Sequence, residues 1–464
     1  MTWNDVLEAT ALEQAAFVRS RALSSEELCR LYLDRIDRLD SGLNAFVSRF
    51  RRRALADARE KDALTRAGGP LPAFHGVPIG IKDLNVVRFA WTRFGSRAAL
   101  PLFSPVDDHT VTALRRGGFV ILGKTSTSEL GAMPVTEPDT HPPTRNPWNP
   151  WHSAGGSSGG AGAAVAARLL PIAQGSDGAG SIRIPSAFCH LYGIKPSRGR
   201  VPNAFGRPDR DILYTCGPIA RSVGDAAAML DVMAGLDVGR PHWAAPPTRP
   251  YHETLRAPPR PLRIRFATRA PLGPTHPEIA AAVTAAARLL GELGHHVEEA
   301  PLPAGSLEEF MPLWQHLVSD IPLTRWARAQ PITRWLGEAG LRLRKDDMLA
   351  LRREIAARLT RELGDADLWL TPTVGVPAPR VGAFAGRPPG EAFAAAAPLG
   401  SFTAPFNVTG QPAASVPLGL TGEGLPMGLQ VAGRLLREDE VLAVSRQLEE
   451  AMPWRGRVAP EGAR

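Results

Sequence analysis

From His152 to Arg200 the chain reads HSAGGSSGGAGAAVAARLLPIAQGSDGAGSIRIPSAFCHLYGIKPSRGR, two clusters of glycine and serine around a run of small and apolar residues. A flexible linker carries no such run. AGAAVAARLL predicts a helix suited to close packing and PIAQG a strand. Each cluster predicts a turn whose backbone adopts conformations closed to bulkier residues. The order loop, helix, strand, loop holds polar side chains at two turns, as an α/β arrangement does.

The rest of the chain agrees with that class. Residues 4–66 read as helices, and Ser24 with Glu27 three residues on forms a capping box ahead of Leu28, Leu31, Ile36 and Leu39. From about residue 74 the texture alternates: FHGVPIGIKDLNVV is a short apolar segment, VTALRRGG a helix end and FVILGKT a buried strand. Residues 241–261 are rich in proline and read as an exposed connection. Beyond it LRIRFAT predicts a strand, PEIAAAVTAAARLLGELG an amphipathic helix closed by Gly294, and HHVEEAPLP another strand. Residues 306–363 read as mostly helical and carry Trp314, Trp326 and Trp335. From 367 strand-and-turn texture returns, ending in the helix EDEVLAVSRQLEEAM.

Composition narrows the function. Of 464 residues, 44% are hydrophobic and 22% charged, which is ordinary globular usage and excludes disorder and collagen-like repeats. No apolar run approaches the roughly 18 residues of a membrane span. The acidic, polar start MTWNDVLEATALEQ is unlike a signal peptide, so the expected location is cytoplasmic. Cys29, Cys189 and Cys216 are an odd number without CxxC spacing, which argues against a disulfide framework and a structural zinc. The net charge of +8 comes with scattered arginines and only five lysines, a pattern of solvated faces, and no nucleic-acid partner is expected.

Gly118 to Thr125 (GFVILGKT) fits the phosphate-loop pattern by letter. Its intervening residues are themselves an apolar strand, however, and the segment before Gly118 is helical, so the context is wrong. The eleven histidines contain no HExxH. Lys82 lies among Val77, Ile79, Ile81 and Leu84. Desolvation there would make it a neutral amine able to act as general base, whereas a partner such as Asp83 would make it structural; the spacing leaves both open. Ser157 and Ser181 stand in the two glycine-rich turns, where unencumbered backbone N–H groups beside a hydroxyl suit an oxyanion hole. Asp177 and Arg183 flank the second turn, and an ion pair clamping the loop is the natural reading.

These residues resemble the amidase signature family of serine hydrolases, with its Ser-(cis)Ser-Lys triad. The matching stretches are GVPIGIKD (76–83), GKTSTSELG (123–131), TRNPWNPWHSAGGSSGGAGAAVA (144–166), QGSDGAGSIRIPSAFCHLYGIKPSRGRV (174–201), GPIARSVGDAAAMLDVMAG (217–235) and FTAPFNVTGQPAASVPLGLTGEGLPMGLQVAGR (402–434). The resemblance implies one α/β domain over 1–464, a large mixed sheet of about eleven strands covered by α-helices. Within it lie N-terminal helices 4–66, a core 74–235, the connection 241–261, a variable helical region 306–363 and a C-terminal core part 367–452. It implies that Ser181 is the nucleophile, that Ser157, after a cis bond from Gly156, is the bridging serine, and that Lys82 is the base. Backbone N–H groups of Gly178, Ala179, Gly180 and Ser181 would form the oxyanion hole, Asp177 and Arg183 would support the loop, and no cofactor or metal would be needed. The family's commoner turn is GTDTGGS. Here GSDGAGS loses a hydroxyl at Gly178 and gains a methyl at Ala179, which alters the fit of the acyl group.

The chain lacks the SLDQ-like and DPxDxTS-like elements usual in the glutaminase subunit of the tRNA-dependent amidotransferase, reading ILYTCGP and GLDVGRPHWA there. That favours a stand-alone amidase, of the carbamate (urethane) hydrolase type, as a monomer or homodimer, over the amidotransferase subunit, which is the alternative. Met133, Leu213, Tyr214, Cys216, Trp314, Leu317 and Phe402 are candidate pocket residues. Their neutral character points to a small-molecule neutral amide, ester or carbamate.

Overall fold

The apolar runs of the sequence become strands of one sheet in the computed structural model, which describes residues 2–202, 213–234, 244–303, 305–321, 323 and 325–461. Eleven strands take part: β1 (Phe46–Arg49), β2 (Pro78–Lys82), β3 (Val120–Thr125), β4 (Ile172–Asp177), β5 (Tyr192–Lys195), β6 (Thr215–Ala220), β7 (Arg263–Phe266), β8 (His296–Glu299), β9 (Leu368–Pro372), β10 (Ala413–Leu420) and β11 (Pro426–Gly433). Their order is β1-β3-β2-β4-β6-β5-β10-β11-β9-β7-β8. β2 runs parallel to both β3 and β4, and β7 parallel to β8 and β9; the other pairs are antiparallel. This is the expected α/β class with a mixed sheet of eleven strands.

Every residue of β2 to β6 is buried, as in a sheet covered by helices on both faces. The edge strand β8 instead exposes His296, Glu298 and Glu299, charged and polar residues that discourage pairing with another chain. β1 lies inside the stretch read as wholly helical. It is four residues long and pairs with β3 across 70 intervening residues or more, a contact no local pattern announces.

Helix α1 (Ser25–Leu39) starts at the expected capping box: the Glu27 N–H donates to Ser24 Oγ at 3.1 Å and the Ser24 N–H to Glu27 Oε2 at 2.9 Å. Helix α2 (Gly159–Ala166) is buried along its whole length. Its small residues are needed, since a Cβ at Gly160 would lie 2.8 Å from the Ser126 carbonyl oxygen and closer still to Ser126 N and Ala45 O. The short α3 (Arg183–Phe188) follows the second glycine turn. The region 306–363 is helical as expected, with α4 (Leu307–Ser319), Pro331–Gly340 and α5 (Lys345–Leu363). The proline-rich connection is described from residue 244 on. It is anchored by the four-residue helix Tyr251–Thr254, whose buried Tyr251 hydroxyl donates to Glu438 Oε2 at 3.1 Å. Among the described residues no helix is long and apolar enough to cross a membrane, and Cys29, Cys189 and Cys216 are free and buried.

Candidate active site

Lys82 ends β2 in the middle of the parallel part of the sheet, held there by its N–H donating to Gln174 Oε1 at 3.0 Å. Its side chain is wholly buried. The Nζ donates to Ser157 Oγ at 2.7 Å and to the Ser176 carbonyl oxygen at 3.3 Å. Burial lowers its pKa to about 7, so near neutral pH a large share of it is free amine. The alternative partner is engaged elsewhere: Asp83 pairs with the equally buried Lys124 at 2.9 Å. Asp83 is the first residue past the strand, in the turn that follows it, and its carboxylate reaches Lys124. Lys124 belongs to the phosphate-loop look-alike, and its ammonium is committed to this pair and to Thr92 Oγ1 at 2.9 Å.

Ser157 enters the site just ahead of α2, and its peptide bond from Gly156 is cis. The adjoining Ser158 ties this turn to β4, its hydroxyl donating to Ser176 O at 3.1 Å and accepting from Ser176 N–H at 3.3 Å. Its N–H also donates to Ser181 O at 3.2 Å, so the two glycine turns are bound backbone to backbone. The Ser181 hydroxyl has no hydrogen-bond partner among the described residues, and Ser181 lines the main cleft. The structure thus brings Lys82 onto Ser157 and the Ser157 turn onto Ser181, with the Ser157–Ser181 hydroxyl contact not closed.

The turn from Gly178 to Ser181 is fixed from behind. Asp177 and Arg183, both fully buried, form a two-point ion pair with Arg183 Nε and Nη2 each 3.0 Å from the carboxylate. Burial alone would raise the Asp177 pKa, but the Arg183 guanidinium beside it holds the carboxyl well below the ordinary range. The remaining Arg183 donors reach Thr403 O at 3.0 Å, Gln430 Oε1 at 2.7 Å and Asn407 Oδ1 at 2.5 Å. Asp177 also accepts the N–H groups of Gly180, at 2.6 Å, and Ile182, at 3.2 Å. This corrects the expected row of four oxyanion donors, because the Gly180 N–H is turned to Asp177. Those of Gly178, Ala179 and Ser181 have no protein acceptor among the described residues. The Ala179 carbonyl is pinned by Thr403 Oγ1 at 2.5 Å. Thr403, Asn407 and Gln430 had been given no role, although two of them lie in FTAPFNVTG; their meaning depends on Arg183, more than 200 residues away.

A cleft opens onto Ser181. Met133 and Trp314 line it. Leu213, Tyr214, Cys216, Leu317 and Phe402 do not. Cys216 is on β6 opposite Ser176 and fully buried, and Tyr214 reaches its sulfur at 3.2 Å. Leu213 and Phe402 are core residues. Leu317 packs beside the turn: a Cβ at Gly178 would lie 3.3 Å from Leu317 Cδ2 and 3.2 Å from the Trp314 ring. The cleft wall is built instead by Phe310, Ile355, Leu359 and Phe393, from three separate helices, with Ala179 at its floor. Glu309 is the one charged side chain among the described lining residues, and Arg358 holds it at 2.7 Å.

The sequence pattern of the family described as Amidase matches residues 27–325 and 327–442. The chain is 36% identical over 493 residues to the 6-aminohexanoate-cyclic-dimer hydrolase of Paenarthrobacter ureafaciens, covering 97% of this chain and 95% of that one. It is 36% identical over 476 residues to the acylamidase of Rhodococcus erythropolis, covering 98% of each. The solved structure of 6-aminohexanoate cyclic dimer hydrolase superposes with a TM-score of 0.87 at 32% identity, covering 98% of this chain and 99% of that one.

Proposed function

The chain belongs to the amidase family of hydrolases acting on carbon–nitrogen bonds, and from that premise we propose that it cleaves neutral amides through an acyl-enzyme on Ser181. Neutral Lys82 takes a proton from Ser157 as Ser157 takes one from Ser181. The Ser181 oxygen forms a bond to the carbonyl carbon, and the resulting oxyanion is met by the N–H groups of Gly178, Ala179 and Ser181. The relay then runs backwards: Lys82 returns the proton through Ser157 to the leaving nitrogen as the C–N bond breaks. Water, deprotonated by the same path, hydrolyses the ester and frees Ser181.

The observation that carries this reading is the 2.7 Å contact of a fully buried lysine with Ser157, in a site where the only nearby carboxylate in sequence is paired elsewhere. The apolar cleft supports an uncharged substrate with an aliphatic or aryl acyl group, carbamates and esters included. The whole chain, 1–464, would work as one unit.

The test is release of nitroaniline from a neutral acyl nitroanilide by the purified single chain, beside Ser181→Ala and Lys82→Ala. Turnover by the wild type and its loss in both variants is the expected result. Absence of turnover with short and long acyl groups alike, with activity appearing only on adding partner subunits, would move the chain to the amidotransferase alternative.

A further inference from the structure

At the end of α3 away from Ser181 the chain passes through Cys189 and His190, and a second, small and partly open depression lies there. Its lining is unlike that of the main cleft. Four arginines line it, the half-buried Arg168 and Arg221 and the exposed Arg455 and Arg457. Arg168 is paired with Glu8, and Arg455 reaches Glu13 at 3.4 Å. Arg221 and Arg457 are paired with no carboxylate among the described residues. Arg221 Nη2 donates to the Ala9 carbonyl oxygen at 2.5 Å, and its Nε is buried without a partner.

His190 supplies an independent sign. It is only 4% exposed, yet neither ring nitrogen has a hydrogen-bond partner in the protein. Burial, with Arg457 nearby, lowers its pKa to about 4, so the ring is neutral near pH 7 and offers one N–H donor. Its backbone stands at φ +59, and the edge of the Trp148 ring packs on it with centroids 5.3 Å apart. The indole N–H groups of Trp148 and Trp454 are committed to the carbonyls of Cys189 and Arg221, each at 3.0 Å, so the two rings act as walls.

Two guanidiniums without carboxylates, a buried ring donor and aromatic walls form a setting that attracts an oxygen anion. The guanidinium fork fits the paired oxygens of a phosphate, and the walls reduce competition from water. We propose that this depression is a second binding site, separate from the Ser181 cleft, for a phosphate group carried by inorganic phosphate or by a phosphomonoester. The site stands whatever the reaction at Ser181.

Calorimetric titration of the full-length protein with inorganic phosphate and with phenyl phosphate, in a chloride buffer of constant ionic strength, tests it. Saturable binding at one site per chain is expected, weakened about tenfold or more in Arg457→Gln, the effect of removing one charge-assisted hydrogen bond. His190→Asn, whose side chain tolerates a positive φ, should weaken it as well. In the wild type, the His190 ring resonance should titrate at higher pH when phosphate is bound, because an adjacent anion favours the charged ring. Tighter binding of phenyl phosphate identifies a phosphomonoester as the occupant, and equal binding identifies free phosphate. No saturable binding at millimolar phosphate, or equal binding by wild type and both variants, would overturn the proposal. Nitroanilide turnover and melting temperature, unchanged in Arg457→Gln, guard against a loss through misfolding.

Discussion

Arg183→Leu is the substitution with the most sharply defined cost. All five guanidinium N–H donors are used: two on Asp177 and one each on Thr403 O, Gln430 Oε1 and Asn407 Oδ1. Leucine removes the charge and leaves the Asp177 carboxylate buried with only Asn407 and two backbone N–H groups as donors. An uncompensated buried charge costs about 3 to 5 kcal/mol, and each orphaned acceptor adds about 1 kcal/mol or more where water does not reach it. The expected loss is therefore at least about 4 kcal/mol near pH 8.

Its pH dependence fixes the cause. In the wild type the Asp177 pKa is depressed, so the pair's contribution is fully present above the unfolded carboxyl pKa and fades only as pH falls through the lower folded value. The wild type gains or loses nothing from this group between pH 5 and 8. In the variant burial prevails and the pKa rises above the unfolded value. The penalty then grows as pH climbs from the unfolded pKa to the folded one. Urea denaturation midpoints at pH 5 and pH 8 should show a wider gap between variant and wild type at pH 8. Adding Asp177→Asn should recover part of the loss, by removing the stranded charge. A loss under about 1 kcal/mol, or a gap equal at both pH values, would refute the account of a buried charge pair.

For the wild type, kcat/KM should climb as pH rises through about 7, because Lys82 becomes a base on losing its proton, and then level off; a rise delayed to pH 10 would show an unperturbed lysine. At pH 7.5 a pKa of about 7 leaves roughly three-quarters of the side chain neutral, against about one part in a thousand for an ordinary lysine. Trp314→Ala should lower stability by about 3 to 5 kcal/mol and favour bulkier acyl groups, read as a rise in relative kcat/KM along a series of acyl nitroanilides. Gly160→Ala should cut soluble yield and lower the melting temperature, since its Cβ meets backbone atoms of Ser126 and Ala45 that have no side-chain freedom to yield; an unchanged melting temperature would contradict that packing.

Much of this molecule is written locally. The capping box of α1, the small-residue face of α2 and the apolar runs of β2 to β4 are each readable from a dozen residues, because their causes act over a turn or a strand. The failures share one origin. Whether Lys82 was base or ion-pair member depended on Lys124, 42 positions on, whose ammonium takes up the Asp83 carboxylate. The donor row looked complete because glycine permits many directions, and only the Asp177 carboxylate decides where the Gly180 N–H points. Of seven proposed pocket residues two line the cleft, since hydrophobic character alone does not separate a wall facing a substrate from one facing the core.

Gly178 and Trp314 lie so close that a methyl group on the first would press on the ring of the second, 3.2 Å away. They share a single allotment of space, and neither position can be varied as though the other were fixed. A hydroxyl-bearing residue at 178 asks the Trp314 ring, and Leu317 at 3.3 Å, to yield by a few tenths of an ångström, and a smaller residue at 314 relieves part of that demand. Shrinking 314 alone hollows out the wall beside the donors that meet the oxyanion. The two substitutions are thus coupled, and variants of this chain are best drawn as pairs at these two positions.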